Sequence, residues 1–144
     1  MDLQYVSTRN ETEKVTASEA ILKGLASDGG LFVPTMIPKL DKSFEELKNI
    51  SYQEIAYEVM KLFLTDFSKE ELMHCIQSAY DEKFDVPEIA PLVYADGAYY
   101  LELFHGKTIA FKDMALSILP HLMITSARKN HVTKDIVILT ATSG

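Results

Sequence analysis

The feature that most constrains this chain is a repeated helix-start signal, Ser or Thr followed three residues later by Glu. In such a capping box the hydroxyl accepts a hydrogen bond from a first-turn backbone N–H, and the Glu carboxylate accepts one from the N–H of the Ser or Thr. The signal stands at Thr16/Glu19, Ser43/Glu46, Ser51/Glu54 and Ser68/Glu71. Four repetitions are poorly explained by chance, so we predict a helical amino-terminal region.

Apolar spacing supports helices behind these signals. Residues 52–63 carry apolar side chains on one helical stripe, and residues 72–80 repeat the arrangement with Leu72, Cys75 and Ile76. We expect the first helix to run from about Ser18 to Ala26, with its stop at residues 28–30, where glycine can adopt a left-handed C-cap. Residues 31–33 then predict a short strand.

The pattern changes near Pro87. Residues 92–103 predict a β-hairpin, since Asp-Gly at residues 96–97 suits a type I′ turn. Residues 112–128 predict a helix that Pro120 bends or breaks, and residues 136–140 predict a buried strand.

These elements predict an α/β chain in two parts. Residues 1–86 would form a helical cap with short strands. Residues 87–144 would begin a parallel-sheet domain that is incomplete, because the apolar strand at 136–140 leads into a small-residue loop and no helix follows. We therefore expect the sequence to be cut from a longer protein.

Charge and composition exclude several classes of function. The 144 residues carry a net charge of −7, which disfavours binding to nucleic acid because no basic face is present. No apolar run approaches the ~18 residues of a membrane span. The first ten residues lack the features of a secretory signal, so we expect a cytoplasmic protein.

The histidines and the single cysteine predict no metal site. His74 and Cys75 are adjacent on a helix and point apart, while His121 and His131 have no ligands at metal spacing. His105 follows a strand end, but a lone histidine is more often a structural group.

Lys112 is the first candidate for chemistry. It lies in the apolar stretch 109–115 at the start of a predicted helix, and both desolvation and the helix dipole disfavour its charged form. Such an amine can act as a nucleophile or form a Schiff base. The alternative is a structural lysine whose stem lies along the core and whose head reaches water, paired with Asp113.

The loop at residues 141–144 is the second candidate. After a parallel strand, Thr142, Ser143 and Gly144 would present hydroxyls and backbone N–H groups to an anion. A generic loop is the alternative.

Taken together, four segments carry a resemblance that none carries alone. They are STRN at 7–10, SEAILKGLASDGGLFVP at 18–34, ELFHGKTIAFKDMAL at 102–116 and ILTATSG at 138–144. In this order and spacing they resemble the amino-terminal part of the threonine synthases, which belong to the fold-type II group of pyridoxal-phosphate enzymes.

The resemblance implies an enzyme that converts O-phospho-L-homoserine and water into L-threonine and phosphate. Lys112 stands at the position that holds pyridoxal 5'-phosphate covalently, with Phe111 beside it, and would also shuttle protons. Thr142, Ser143 and Gly144 would bind the substrate carboxylate. The cofactor-phosphate loop is expected downstream, so we expect residues 1–144 alone to be inactive.

One departure and two alternatives remain open. The family usually has proline where this chain has Lys107, which either contacts a phosphate or is a solvated loop residue. A threonine-synthase-like phospholyase would share Lys112 but release phosphate without making threonine. A non-catalytic interaction domain would be expected to lack the lysine or the Ser-Gly loop, and both are present.

Overall fold

The computed structural model describes residues 2–141, which form six helices and four short strands. The helices are α1 (Ala17–Lys23), α2 (Phe44–Leu47), α3 (Tyr52–Phe63), α4 (Lys69–Ala79), α5 (Asp113–Leu116) and α6 (Leu119–Lys129). The strands are β1 (Tyr5–Ser7), β2 (Phe32–Pro34), β3 (Leu92–Ala95) and β4 (Ala98–Leu101). In this part of the chain no helix is both long enough and apolar enough to cross a lipid bilayer.

The four predicted capping boxes are confirmed. α1, α2, α3 and α4 each begin after the expected Ser or Thr, with both the hydroxyl bond and the returning Glu bond in place. These bonds satisfy backbone N–H groups that have no partner within the helix. Because each box spans only four residues, the helix starts could be predicted from the sequence.

The strands form two separate antiparallel pairs. β1 pairs with β2, with Val6 opposite Val33, and β3 pairs with β4, with Tyr94 opposite Tyr99. The predicted hairpin turn is confirmed, since Asp96 and Gly97 have φ angles of 50° and 81°, as a type I′ turn requires.

The strand predicted at residues 136–140 does not form in the described part of the chain. Leu139 is 91% exposed, and the segment is irregular. A strand is held by hydrogen bonds to a neighbouring strand, and residues 2–141 provide none beside this segment.

Two helix boundaries differ from the prediction. α1 ends at Lys23, capped by Gly24 with its positive φ of 67°, and not at Ala26 with a stop at residues 28–30. Residues 25–30 instead form a turn in which the Gly29 N–H donates to the Ala26 carbonyl. The predicted helix at 112–128 is two helices, with Pro120 in the first turn of α6, where its missing N–H costs nothing.

The core is built around α4. Leu72, Cys75, Ile76 and Ala79 are fully or almost fully buried, as the apolar stripe predicted. They share a cluster with Ile118 and Leu122 at the start of α6, while Tyr52, Ala56 and Met60 of α3 pack on it half-buried. One core therefore joins side chains from both sides of residue 86, and the division into two domains stays a prediction.

Candidate functional site

Lys112 lies at the start of the short helix α5, as its position in the sequence indicated. It is the N-cap residue, and its carbonyl accepts a hydrogen bond from the Leu116 N–H at 2.8 Å. Its side chain is exposed, with Nζ 4.7 Å from the centre of the Phe111 ring. The amine is thus accessible, and the desolvation expected for it is not present in residues 2–141.

An open apolar cleft of about 670 Å³ lies beside this amine. α3 and α5 form its walls together with the end of β4, and Lys112 is the charged side chain among the residues that line it. The lining residues are Tyr52, Ile55, Ala90, Leu101, Leu103, Phe111, Lys112, Met114, Ala115 and Leu116. An apolar cleft of this size with one convergent polar group has the character of a small-molecule site.

The carboxylate of Asp113 ties α5 to the preceding loop. Its Oδ2 accepts the Thr108 N–H at 2.7 Å, and its Oδ1 accepts the Thr108 hydroxyl at 2.6 Å. Asp113 is only 6% exposed. The alternative in which Asp113 pairs with Lys112 is wrong, since no ion pair within 4.0 Å joins the two side chains in residues 2–141.

Gly106 is required by the same arrangement. A Cβ at this position would lie 2.5 Å from both Cβ and Oδ2 of Asp113, far inside van der Waals contact. The loop can approach the carboxylate only because residue 106 has no side chain. We call this set of contacts, made by Gly106, Thr108 and Asp113, the loop clamp.

A second tether holds α5 one residue after Asp113. The Tyr80 hydroxyl, at the end of α4, donates to the Met114 carbonyl at 2.8 Å. Burial raises the pKa of Tyr80 above its usual range, so it remains a hydrogen-bond donor. The Tyr80 ring stands edge-on to that of Tyr52, with centres 5.0 Å apart, which links α3, α4 and α5 at one side of the cleft.

His105 anchors the loop at its amino-terminal end. Its Nε2 lies 2.8 Å from Oε2 of Glu102 and its Nδ1 lies 2.6 Å from Oδ1 of Asp85. These two carboxylates, Glu102 first, raise the pKa of His105 against a smaller opposing effect of desolvation. The structural reading of this histidine is the one that its contacts support.

The structure brings only some of the predicted site residues to the cleft. Lys112 and Phe111 stand together at the cleft, whereas Lys107 is exposed in the loop. The predicted substrate-binding residues Thr142, Ser143 and Gly144 lie outside the described residues.

Asp113, Thr108 and Tyr80 are contributors that sequence reasoning missed. An acidic residue directly after the lysine was visible, but its partner Thr108 lies five residues earlier, outside any helical spacing. The Tyr80–Met114 contact joins residues 34 apart and leaves no local signal.

Comparison with known proteins identifies a consistent set of relatives. A family model described as "Threonine synthase N terminus" matches residues 4–80. The threonine synthase of Schizosaccharomyces pombe is 44% identical over 124 residues, which cover 83% of this chain and 24% of that protein. Threonine synthase-like 1 of Homo sapiens is 38% identical, over 97% of this chain and 20% of that protein.

The fold agrees with solved structures of the same set. The crystal structure of a PLP-bound threonine synthase from Brucella melitensis aligns with a TM-score of 0.80 at 34% identity. The alignment covers 90% of this chain and 28% of that one. The chain thus spans between 20% and 28% of the length of these relatives.

Proposed function

The chain belongs to the threonine synthase family, and from that premise we propose that it forms the amino-terminal part of a pyridoxal-phosphate enzyme. This enzyme converts O-phospho-L-homoserine and water into L-threonine and phosphate. The supporting observation is the placement of Lys112, whose accessible amine stands at the edge of an apolar cleft and on a helix start held by two tethers.

The residues present suit part of the proposed cofactor. Lys112 offers a primary amine for the cofactor's aldehyde carbon, and the side chains of Phe111 and Tyr52 offer aromatic surface for a planar pyridine ring. The residues that line the cleft within 2–141 include no second cation, so we assign the phosphate group to residues outside this set.

Each residue of the chain has a limited task in this proposal. Lys112 Nζ would hold the cofactor covalently, and the same amine would move a proton between substrate carbons. When bound, pyridoxal phosphate supplies an electron sink that stabilises negative charge on those carbons. Thr142, Ser143 and Gly144 are assigned to the substrate carboxylate.

The assignment of Lys112 is tested by substitution in the full-length enzyme. We expect Lys112→Ala to abolish turnover and to remove the covalent adduct that borohydride traps on the peptide containing residue 112. Lys39→Ala, which changes another exposed lysine, is the matched control and should retain both. Turnover by Lys112→Ala, or a trapped adduct on a different lysine, would refute the proposal.

A threonine-synthase-like phospholyase is the second candidate, and the similarity to human threonine synthase-like 1 is the observation that favours it. Both enzymes would use Lys112, so substitution of the lysine does not separate them. Product analysis does: the first reading requires threonine from O-phospho-L-homoserine, and the second requires phosphate release with a keto acid in its place.

A further inference from the structure

We propose that Asp113 is a positioning residue for Lys112, acting through Thr108. This inference rests on the proposed function, because it concerns the amine that would carry the cofactor. Asp113 neither lines the cleft nor contacts the amine of Lys112. Its role is to hold the backbone from which the Lys112 side chain extends.

The direction of the carboxylate's hydrogen bonds supports this role. An acidic residue in the first turn of a helix usually stabilises that turn itself, through its backbone N–H groups and dipole. Asp113 instead directs both oxygens out of α5, to the N–H and hydroxyl of Thr108. These bonds therefore fix the helix start against the loop.

The side chain of Lys112 lacks such restraints of its own. Among the contacts of residues 2–141, its Nζ lies over the Phe111 ring and forms no ion pair within 4.0 Å. Within residues 2–141, the part of Lys112 that neighbouring groups hold is therefore its backbone. The loop clamp holds that backbone directly after Lys112, and the Tyr80–Met114 bond holds it one residue further on.

Close packing makes the clamp stiff. Gly106 leaves no room for even one additional carbon beside the Asp113 carboxylate, so the carboxylate cannot move toward the loop. The loop is held in turn by His105, whose ring lies between Asp85 and Glu102. A chain of contacts therefore runs from the exit of the hairpin to the helix start that carries the lysine.

Three variants of the full-length enzyme test the proposal. Asp113→Ala removes both oxygens that accept the N–H and hydroxyl of Thr108. Thr108→Val removes the hydroxyl at nearly constant volume, and Thr108→Ser retains both donors. We expect the first two to lower kcat by about 100-fold with KM changed less than threefold, because small misplacement of a reacting group costs rate. Thr108→Ser should restore most of kcat.

A second readout does not require the loaded enzyme. In the cofactor-free protein, trace labelling with acetic anhydride and peptide mass spectrometry measure the reactivity of each lysine. Asp113→Ala should change the labelling rate of Lys112 at least threefold and leave Lys129, which is ion-paired with Glu71 at 2.9 Å, unchanged. Equal changes at both lysines would indicate general unfolding and overturn the positioning role.

Further outcomes would refute the positioning role of Asp113 or separate it from the proposed function. Wild-type kcat and wild-type Lys112 labelling in Asp113→Ala would refute the proposal, as would a Thr108→Ser variant as impaired as Thr108→Val. If Lys112→Ala retained turnover, the proposed function would fail, yet the labelling of Lys112 would still report whether Asp113 positions it. The two failures are therefore distinguishable.

Discussion

Substitution of Gly106 by Ala should open the loop clamp, and the size of the effect follows from its distances. The added Cβ would lie 2.5 Å from Cβ of Asp113, where ordinary contact begins at 3.4 Å, so the two must separate by about 0.9 Å. If this movement is along the Thr108 bonds of 2.6 and 2.7 Å, they would reach about 3.5 and 3.6 Å, at or beyond the limit of hydrogen bonding.

The energetic cost has two sources. Overpacking costs about 1–3 kcal/mol, and each hydrogen bond to a charged group contributes about 1.5–3 kcal/mol. The two costs are not simply additive, because a movement of Asp113 away from the new Cβ relieves the steric clash while it breaks the hydrogen bonds. We therefore expect Gly106→Ala to lower the free energy of unfolding by about 2–4 kcal/mol, measured by urea denaturation followed by circular dichroism.

A double-mutant cycle tests the reasoning behind this number. Thr108→Val removes one of the bonds that Gly106→Ala stretches, so the double variant should lose less stability than the sum of the single variants. The expected non-additivity is about 1 kcal/mol or more. Additive losses within about 0.5 kcal/mol, or a Gly106→Ala variant as stable as wild type, would refute the shared clamp.

Three further predictions concern elements around the site. Ser68→Ala removes the hydroxyl that accepts the Glu71 N–H at 3.2 Å and should cost about 1 kcal/mol in urea denaturation, whereas a loss below about 0.3 kcal/mol would show that this cap is dispensable. Ile76→Ala empties a side-chain position that is 0% exposed and should cost about 2–5 kcal/mol, while Ile124→Ala, at 61% exposure, is the control and should cost less than about 0.5 kcal/mol. His105 has a raised pKa in the folded state, so its ion pairs stabilise the fold fully below the unfolded pKa of about 6.5 and lose this effect as pH rises through the higher folded value. The difference in urea midpoint between wild type and His105→Gln should therefore shrink from pH 6 to pH 9, and a difference that grows with pH would contradict the assignment.

Much of the local structure could be predicted because its causes lie within a few residues. A capping box needs only two side chains three positions apart, and all four predicted boxes form. The hairpin likewise follows from Asp96 and Gly97, which tolerate the left-handed backbone that a two-residue turn requires. The buried face of α4 follows from periodicity alone.

The tertiary structure decided those features that depend on contacts between distant parts of the chain. The residues 136–140 have strand-like composition, but a strand exists only beside a partner, and none lies there within residues 2–141. The residues at 28–30 read as a helix stop, yet Gly24 ends α1 because residues 25–31 are used to return the chain toward β2.

The same distinction between local and tertiary causes applies to the candidate site. The sequence by itself determined that Lys112 starts a helix in an apolar stretch, because dipole, spacing and composition are local properties. Only the folded chain decided that Asp113 bonds Thr108 and not Lys112, and that Tyr80 holds Met114. Those contacts depend on how closely Gly106 lets the loop approach Asp113 and on where α4 ends. Both are matters of distance in space, which the spacing of residues along the chain does not encode.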